Sequence, residues 1–486
     1  MKTTSTLLCL LIAITFAVPV QAQDCKCADA FEQSVQVYEN DYALFHIKVT
    51  DQNRELYLAN KAVYRDKAKA VTAIEDCLPV LKQWLAFFRD GHNNIKFTVA
   101  NGSQQLREHI KVDRATFITD LKKIQKKKAY RANDLLGIWK YGAYEVGIMP
   151  DPKSSDHKRD FVGVVLESNN AIWKTGDVRF ELNQVYGNDY EAVYYMDDNS
   201  SRQFKTKLQS PEKLEFVSYN TWHKVWPAAK GTKPPEEIAR YSDFHFRMLE
   251  GDVPYIRFPN FYEKQPAFVD SLLKAHHQEL IKAEFIIIDV RDNNGGNDAV
   301  YLPVLPYVLS GPVQIPNIGT WLSEGNLKSL LAGKDPEKMD EADKAEYDYV
   351  MSLKNTMFWY NQEKYARTYK PDTLYAPKQK VAVLINAKTI SSGETFVYRA
   401  RQSDKVILYG QNTAGIVDGF MVLTKSIGCF DLRYPSTLRA RDVAENPIDP
   451  YGMAPDVYVS PDADILELSI QHMRHLLKAG KTHPSN

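Results

Sequence analysis

Two stretches of the chain carry a buried strand straight into residues that can do chemistry. Phe285-Ile286-Ile287-Ile288-Asp289-Val290 is a near-continuous apolar run that ends in Arg291-Asp292-Asn293-Asn294-Gly295-Gly296. Glycines at a strand end let backbone N–H groups face a ligand with no Cβ in the way, so Gly295 and Gly296 are candidates to hold an oxyanion or a phosphate. Val381-Ala382-Val383-Leu384-Ile385 runs in the same way into Asn386-Ala387-Lys388-Thr389-Ile390-Ser391-Ser392-Gly393-Glu394. A serine at such a strand-to-helix junction exposes its Oγ, and the N–H of the next residue is free to meet developing negative charge. Each stretch also has a plainer reading. The glycines suit any tight turn, and Ser391 or Ser392 can cap a helix with Glu394 as box partner. The pattern is not Gly-x-Ser-x-Gly, so an α/β-hydrolase is not indicated.

These turns need elements to position them. From about residue 240, strand-like and helix-like stretches alternate, with Val253–Phe258, Phe285–Val290, Val381–Ile385 and Val406–Tyr409 as strands. Near-continuous apolar runs mark strands buried on both faces, which predicts an α/β core over 240–480 with some parallel pairing. Residues 130–235 read as short strands rich in Tyr and Val, punctuated by turns such as Gly187-Asn188-Asp189. Leu136-Gly137-Ile138-Trp139 opens this small, β-rich, barrel-like domain. Residues 23–125 read as a helical N-terminal region. Leu78, Leu81, Trp84, Leu85 and Phe88 recur at helical spacing, and Gly91 supplies a stop. The fold class is therefore α/β and multidomain.

Composition bounds the function. The chain has 486 residues, 61 Lys and Arg against 61 Asp and Glu, and is 44% hydrophobic. That excludes a disordered, collagenous or coiled-coil chain. Balanced charge lacks the footprint of a nucleic-acid binder. Residues 1–22 read as a secretory signal, with Lys2, an apolar run from Leu7 to Val20, and Val20-Gln21-Ala22 before the cleavage point. The run is shorter than a membrane-spanning helix, and no later stretch is long enough. The expectation is an exported protein with no membrane span after signal removal, whether periplasmic, outer-surface or secreted. Cys9 leaves with the signal. Cys25, Cys27, Cys77 and Cys429 remain, and an even count in an exported chain favours disulfides, with three possible pairings. Cys25 and Cys27 are too close to bond to each other easily, so one of them is expected to tie the terminus to Cys77. No metal motif stands out, and the expected chemistry calls for no cofactor. Oligomeric state has no signal in the sequence.

Four motifs, taken together, carry a resemblance. They are Asp289-Val290-Arg291-x-Asn293-x-Gly295-Gly296, then Ser391-x-x-Glu394, Gly410-x-x-Thr413-x-Gly415 and Gly452-x-x-Pro455-Asp456. In this order they resemble the carboxyl-terminal processing and tricorn-type serine protease superfamily. The resemblance implies a ClpP/crotonase-like α/β core and a serine-type peptidase acting on peptide or protein substrates. It maps the nucleophile to Ser391 and the oxyanion donors to the N–H of Ser392 and of Gly295 or Gly296. One branch draws its base from a lysine that falls here on Ile416, which cannot serve. Lys405 and Lys425 are off the motif. The chain is thus similar to the lysine-less, tricorn-like branch, whose base is a histidine from the helical region. Phe87-Phe88-Arg89-Asp90-Gly91-His92 resembles that segment, and the reference pKa of a histidine suits His92 to general-base work. The serine that precedes the histidine in that branch is Gly91 here. The acid that orients the base maps to Asp449, with Glu445 as the second candidate. No PDZ-type Gly-Leu-Gly-Phe loop is present.

A second class of function remains. The same scaffold also serves non-catalytic carriers of hydrophobic ligands or peptides, and the missing lysine keeps that alternative in view.

Overall fold

The computed structural model describes residues 25–98, 108–126, 134–151, 159–169, 172–197, 201–216, 219–227, 244–360, 366–461 and 463–482. The signal-like segment lies outside the described residues.

The N-terminal layer is built on helices α1 (Cys27–Asp41), α2 (Arg54–Ala70) and α3 (Cys77–Leu85). Leu78, Leu81, Trp84, Leu85 and Phe88 are all buried, as their spacing predicts. They share one core with Phe31 and Tyr38 of α1 and with Phe430, Leu432 and Tyr434 from far along the chain. The stop differs from the expected one. A 3-10 turn over Ala86–Phe88 ends at Arg89, which takes the left-handed conformation with φ 45°. Arg89, not Gly91, therefore turns the chain, which passes through Asp90–His92 into strand β1 (Asn94–Phe97). Disulfides Cys27–Cys77 and Cys25–Cys429 pin α1 to α3 and the terminus to the core. The first is the expected link to Cys77.

Eight antiparallel strands, from Gly137–Tyr141 to Asn220–Trp226, close into a barrel in which the first strand pairs with the last. Trp139, Phe180, Tyr194, Phe216 and Trp222 belong to the cluster that packs it. The helix Arg114–Ile124 goes with the barrel rather than with the helical layer, because Phe117 and Leu121 sit in the barrel's core. Gly147 makes room for it, since a Cβ there would lie 2.5 Å from the Phe117 ring.

The core holds a six-stranded sheet in the order β2 (His245–Leu249), β3 (Val253–Arg257), β4 (Phe285–Asp289), β5 (Lys380–Ile385), β6 (Val406–Gly410) and the short strand Val457–Tyr458. Only the β2–β3 pairing is antiparallel. Side chains of β4 alternate between two apolar cores, Ile286 and Ile288 on one side and Phe285 and Ile287 on the other. That burial on both faces is why the run carries no polar alternation. A second sheet contains the hairpin β7 (Gly419–Ile427) and β8 (Phe430–Leu438), and β1 pairs antiparallel with β8. This pairing brings the His92 turn to the core. Parallel register sets Asp289 beside Leu384, so the turns after β4 and β5 leave the sheet side by side at its carboxyl edge, where ligand sites form in open α/β sheets.

Candidate active site

Hydrogen bonds lock the two turns together. Ile390 N–H donates to Asn293 O (2.9 Å), Thr389 Oγ1 to Val290 O (2.8 Å), and Asp292 N–H to Asn386 Oδ1 (2.9 Å). At the base of the first turn, Asp289 is fully buried. It accepts from Tyr255 Oη (2.6 Å) and Arg291 Nη2 (2.6 Å), with Arg257 Nη1 at 3.0 Å. Burial alone would raise its pKa, but Arg291 and Arg257 hold it well below the usual carboxylate range. The Asp-x-Arg of the motif is thus a brace for the turn.

Ser391 sits immediately before helix α4 (Ser392–Ala400) with φ 53° and ψ −118°, a conformation that costs a β-carbon residue energy and has to be imposed by its surroundings. Its N–H donates to Ile416 O (3.0 Å) and approaches Glu394 Oε2 (3.3 Å). Glu394 has no exposed surface. It also accepts from Thr413 Oγ1 (2.6 Å) and from the N–H groups of Gly415 (2.9 Å) and Ile416 (2.7 Å). Burial pushes its carboxyl pKa up and these donors pull it back. The Ser-x-x-Glu and Gly-x-x-Thr-x-Gly motifs are therefore the two ends of one clamp.

The hydroxyl of Ser391 faces the histidine. His92 Nε2 lies 3.3 Å from Ser391 Oγ, although the two residues are 299 positions apart. The imidazole is 14% exposed, and burial holds its pKa below the ordinary value, against an opposing pull from Asp90. At neutral pH it is uncharged and able to accept a proton.

Gly295 packs on Ser391. A Cβ there would lie 2.8 Å from Ser391 Cβ, and φ is 85°, so only glycine fits. The N–H of Gly295 donates to Asn293 Oδ1 (2.9 Å), and its carbonyl accepts from Phe261 N–H (2.7 Å). The N–H of Gly296 points to the opposite side of that planar peptide. Among the described residues neither it nor the N–H of Ser392 has a hydrogen-bond acceptor. Of the two glycine donors considered, Gly296 is the one left open.

Asp449 is buried beside the same loop. Its Oδ1 accepts from the N–H groups of Val417 (2.7 Å) and Asp418 (3.1 Å), while Oδ2 has no hydrogen bond among the described residues. Burial, with Asp418 and Asp90 nearby, pushes its pKa up to about 8. No hydrogen bond joins it to His92 among the described residues. Glu445 is exposed on a turn. Lys405 spends its ammonium on the carbonyls of Tyr307 (2.6 Å) and Tyr375 (2.9 Å), and burial lowers its pKa to about 8. The carboxylate nearest the imidazole in the ion-pair geometry is one that sequence reasoning passed over. Asp90 Oδ1 stands 3.7 Å from His92 Nδ1. Its place two residues before the histidine gives no signal in the sequence, and the contact shows only once the turn is packed.

A cavity of about 480 Å³ opens at Ser391 and His92, walled by Ile315, Ile318, Val417, Phe420, Met421 and Ile448. Its two arginines are paired, Arg399 with Asp298 (3.0 Å) and Arg439 with Asp418 (2.8 Å). Among the described residues, no group of three or more His, Cys, Asp or Glu is placed to hold a metal ion, and no helix is long and apolar enough to cross a membrane.

Comparison with known proteins bears on this core. Residues 252–459 match the profile of peptidase family S41. No curated protein matches the chain. Among solved structures, mature CPAF is similar at 13% identity, covering 94% of this chain and 99% of that one, with a TM-score of 0.47. The photosystem II D1 C-terminal processing protease is similar at 12% identity over 91% and 96%, with a TM-score of 0.39. The tricorn protease is similar at 14% identity over 93% of this chain and 37% of that one, with a TM-score of 0.40. Through its α/β core, residues 252–459, the chain is thus similar to peptidase family S41.

Proposed function

We propose that the chain is an exported serine peptidase of the lysine-less, tricorn-like kind, with Ser391 as nucleophile and His92 as general base. The observation that carries this reading is the 3.3 Å contact between Ser391 Oγ and His92 Nε2. Such a contact lets the imidazole take the hydroxyl proton as Oγ bonds to the carbonyl carbon of a peptide. The N–H groups of Ser392 and Gly296 receive the oxyanion. The imidazolium then protonates the leaving amine, and water, deprotonated by the same imidazole, releases the acyl group. Each oxyanion donor is worth about 10²–10³ in rate. The match of residues 252–459 to a peptidase family favours this reading over a carrier. Two disulfides, together with the signal-like start, support export.

A serine-directed covalent probe tests it. Wild-type protein is labelled at Ser391 and cleaves peptides. Ser391→Ala is unlabelled and inactive while keeping its melting temperature, and His92→Ala loses both labelling and turnover. A Ser391→Ala variant that hydrolyses peptides at the wild-type rate overturns the assignment.

A further inference from the structure

The imidazole of a serine hydrolase has to be held in one tautomer, with Nε2 bare toward the hydroxyl and Nδ1 carrying the proton. Something must accept the Nδ1 hydrogen, most of all when the ring becomes charged. Gly91 offers no side chain for this, and Asp449 spends one carboxylate oxygen on the backbone of Val417 and Asp418. The other buried group at hand is on the histidine's own turn. Asp90 Oδ1 accepts the backbone N–H of His92 (2.9 Å) and stands 3.7 Å from Nδ1, which has no hydrogen bond among the described residues. Asp90 Oδ2 accepts the hydroxyl of Tyr42 (2.8 Å), just past the end of α1. Tyr42 is itself buried and wedged against Tyr38 and Phe88, with ring centroids 4.9 Å and 5.5 Å away.

We propose that Asp90, steadied by Tyr42, is the positioning residue of His92: it fixes the imidazole tautomer and stabilises the imidazolium during acyl transfer. This rests on Ser391 and His92 being the catalytic pair. The separation of 3.7 Å is long for a hydrogen bond and short for a charge interaction, and the role requires it to shorten as the ring takes up the proton. The chain Tyr42–Asp90–His92–Ser391 ties the helical layer to the nucleophile of the core. It also gives that layer a part in catalysis, since α1 and α3, which carry Tyr42 and Asp90 beyond their ends, are cross-linked by Cys27–Cys77. The charges facing this group are few. Asp90 lies in the field of Lys48, His92 feels Arg433 from β8, and Asp449 faces Asp90 from the loop beyond.

The test compares Asp90→Asn, Tyr42→Phe and His92→Ala for kcat, KM and the pH profile of kcat/KM. Asp90→Asn keeps an acceptor for the His92 N–H but loses the charge. Its kcat is expected to fall about 10–100-fold with KM little changed, and its acid limb to move to lower pH, because the neighbouring carboxylate raises the imidazole pKa. Tyr42→Phe keeps the ring packing and is expected to lose about three- to tenfold in kcat. A merely structural Asp90 leaves the acid limb in place. If His92→Ala is inactive while Asp90→Asn keeps the wild-type kcat and acid limb, the Asp90 role is wrong and the catalytic pair stands. If His92→Ala retains activity, the pair itself is wrong. Should Asp90→Asn fail to fold, Tyr42→Phe decides through kcat. A wild-type value overturns the proposal.

Discussion

Gly91 and Ile416 fill one another's space: a Cβ added to Gly91 would lie 2.4 Å from Ile416 Cδ1 and 2.5 Å from its Cγ1. Ile416 stands where the lysine-dependent proteases that the chain resembles are expected to carry their base, and it backs the turn that presents His92. A side chain at 91 forces either Ile416 or the turn to move. Gly91→Ser is therefore expected to lower kcat at least about tenfold and stability by about 1–3 kcal/mol. Ile416→Ala, which removes the opposing atoms, is expected to restore much of the loss in the double variant. Losses that simply add would mean that the two residues do not share this space.

The pH profile follows from His92. Catalysis by a base requires neutral imidazole, and burial lowers the His92 pKa. The acid limb of kcat/KM is therefore expected below the ordinary histidine value of about 6.5, with activity rising as pH increases through the lowered pKa. Initial rates from pH 4 to 8 measure it. A limb above the ordinary value would contradict a buried imidazole as the base.

Asp449 predicts a different dependence, one of stability. Its folded pKa of about 8 lies far above that of an unfolded aspartate. Between those values the folded state holds a proton that the unfolded state lacks, so stability falls as pH rises and levels off above about 8. Asp449→Asn removes this titration. Its unfolding free energy relative to wild type is expected to climb across that window, by no more than about 1.4 kcal/mol per pH unit, as denaturant melts at each pH measure. A constant difference from pH 5 to 8 would mean that Asp449 is ionised throughout.

How much of this was legible depends on how local the signal is. The strands Phe285–Asp289 and Lys380–Ile385 announce themselves because burial on both faces leaves apolar runs, and the motifs at their ends sit one turn away. The closed barrel is also local, a succession of hairpins that needs no long-range information beyond the pairing of first strand with last. The His92–Ser391 contact is not local. It needs β1 to pair with β8, and His92 lies outside residues 252–459, so only the resemblance brought it forward. Asp90 was missed for a third reason. An aspartate two residues before a histidine carries no pattern of its own. Its role depends on Tyr42 and on burial, which belong to packing. The helix stop was misplaced at Gly91 because glycine is the usual left-handed residue, whereas Arg89 takes that conformation here.

The disulfides give a prediction that couples stability to the site. Cys27–Cys77 closes a loop of 50 residues and Cys25–Cys429 one of 404, so each restricts the unfolded chain. Removing the former is expected to cost about 2–4 kcal/mol. Because Tyr42 and Asp90 follow the two helices that it joins, Cys27→Ser/Cys77→Ser is also expected to lower kcat at temperatures where the protein is still folded. Melting curves and rates with and without reductant measure both. A lowered melting point with unchanged kcat would uncouple the helical layer from Ser391 and His92.

The cavity beside Ser391 sets the last expectation. Its wall of Ile315, Ile318, Val417, Phe420, Met421 and Ile448 is apolar, and its arginines are neutralised by Asp298 and Asp418. A charged side chain entering it loses water and gains no free counter-charge, whereas an apolar one gains about 25 cal/mol for each Å² buried. Peptides with Leu or Phe flanking the scissile bond are expected to be cleaved about a hundredfold faster, in kcat/KM, than the same peptides with Asp or Lys there. Phe420→Asp places a carboxylate on the wall and is expected to shift the preference toward Lys without abolishing labelling of Ser391. Equal cleavage of all four peptides by the wild type would mean that this cavity does not receive the side chain at the cleavage point.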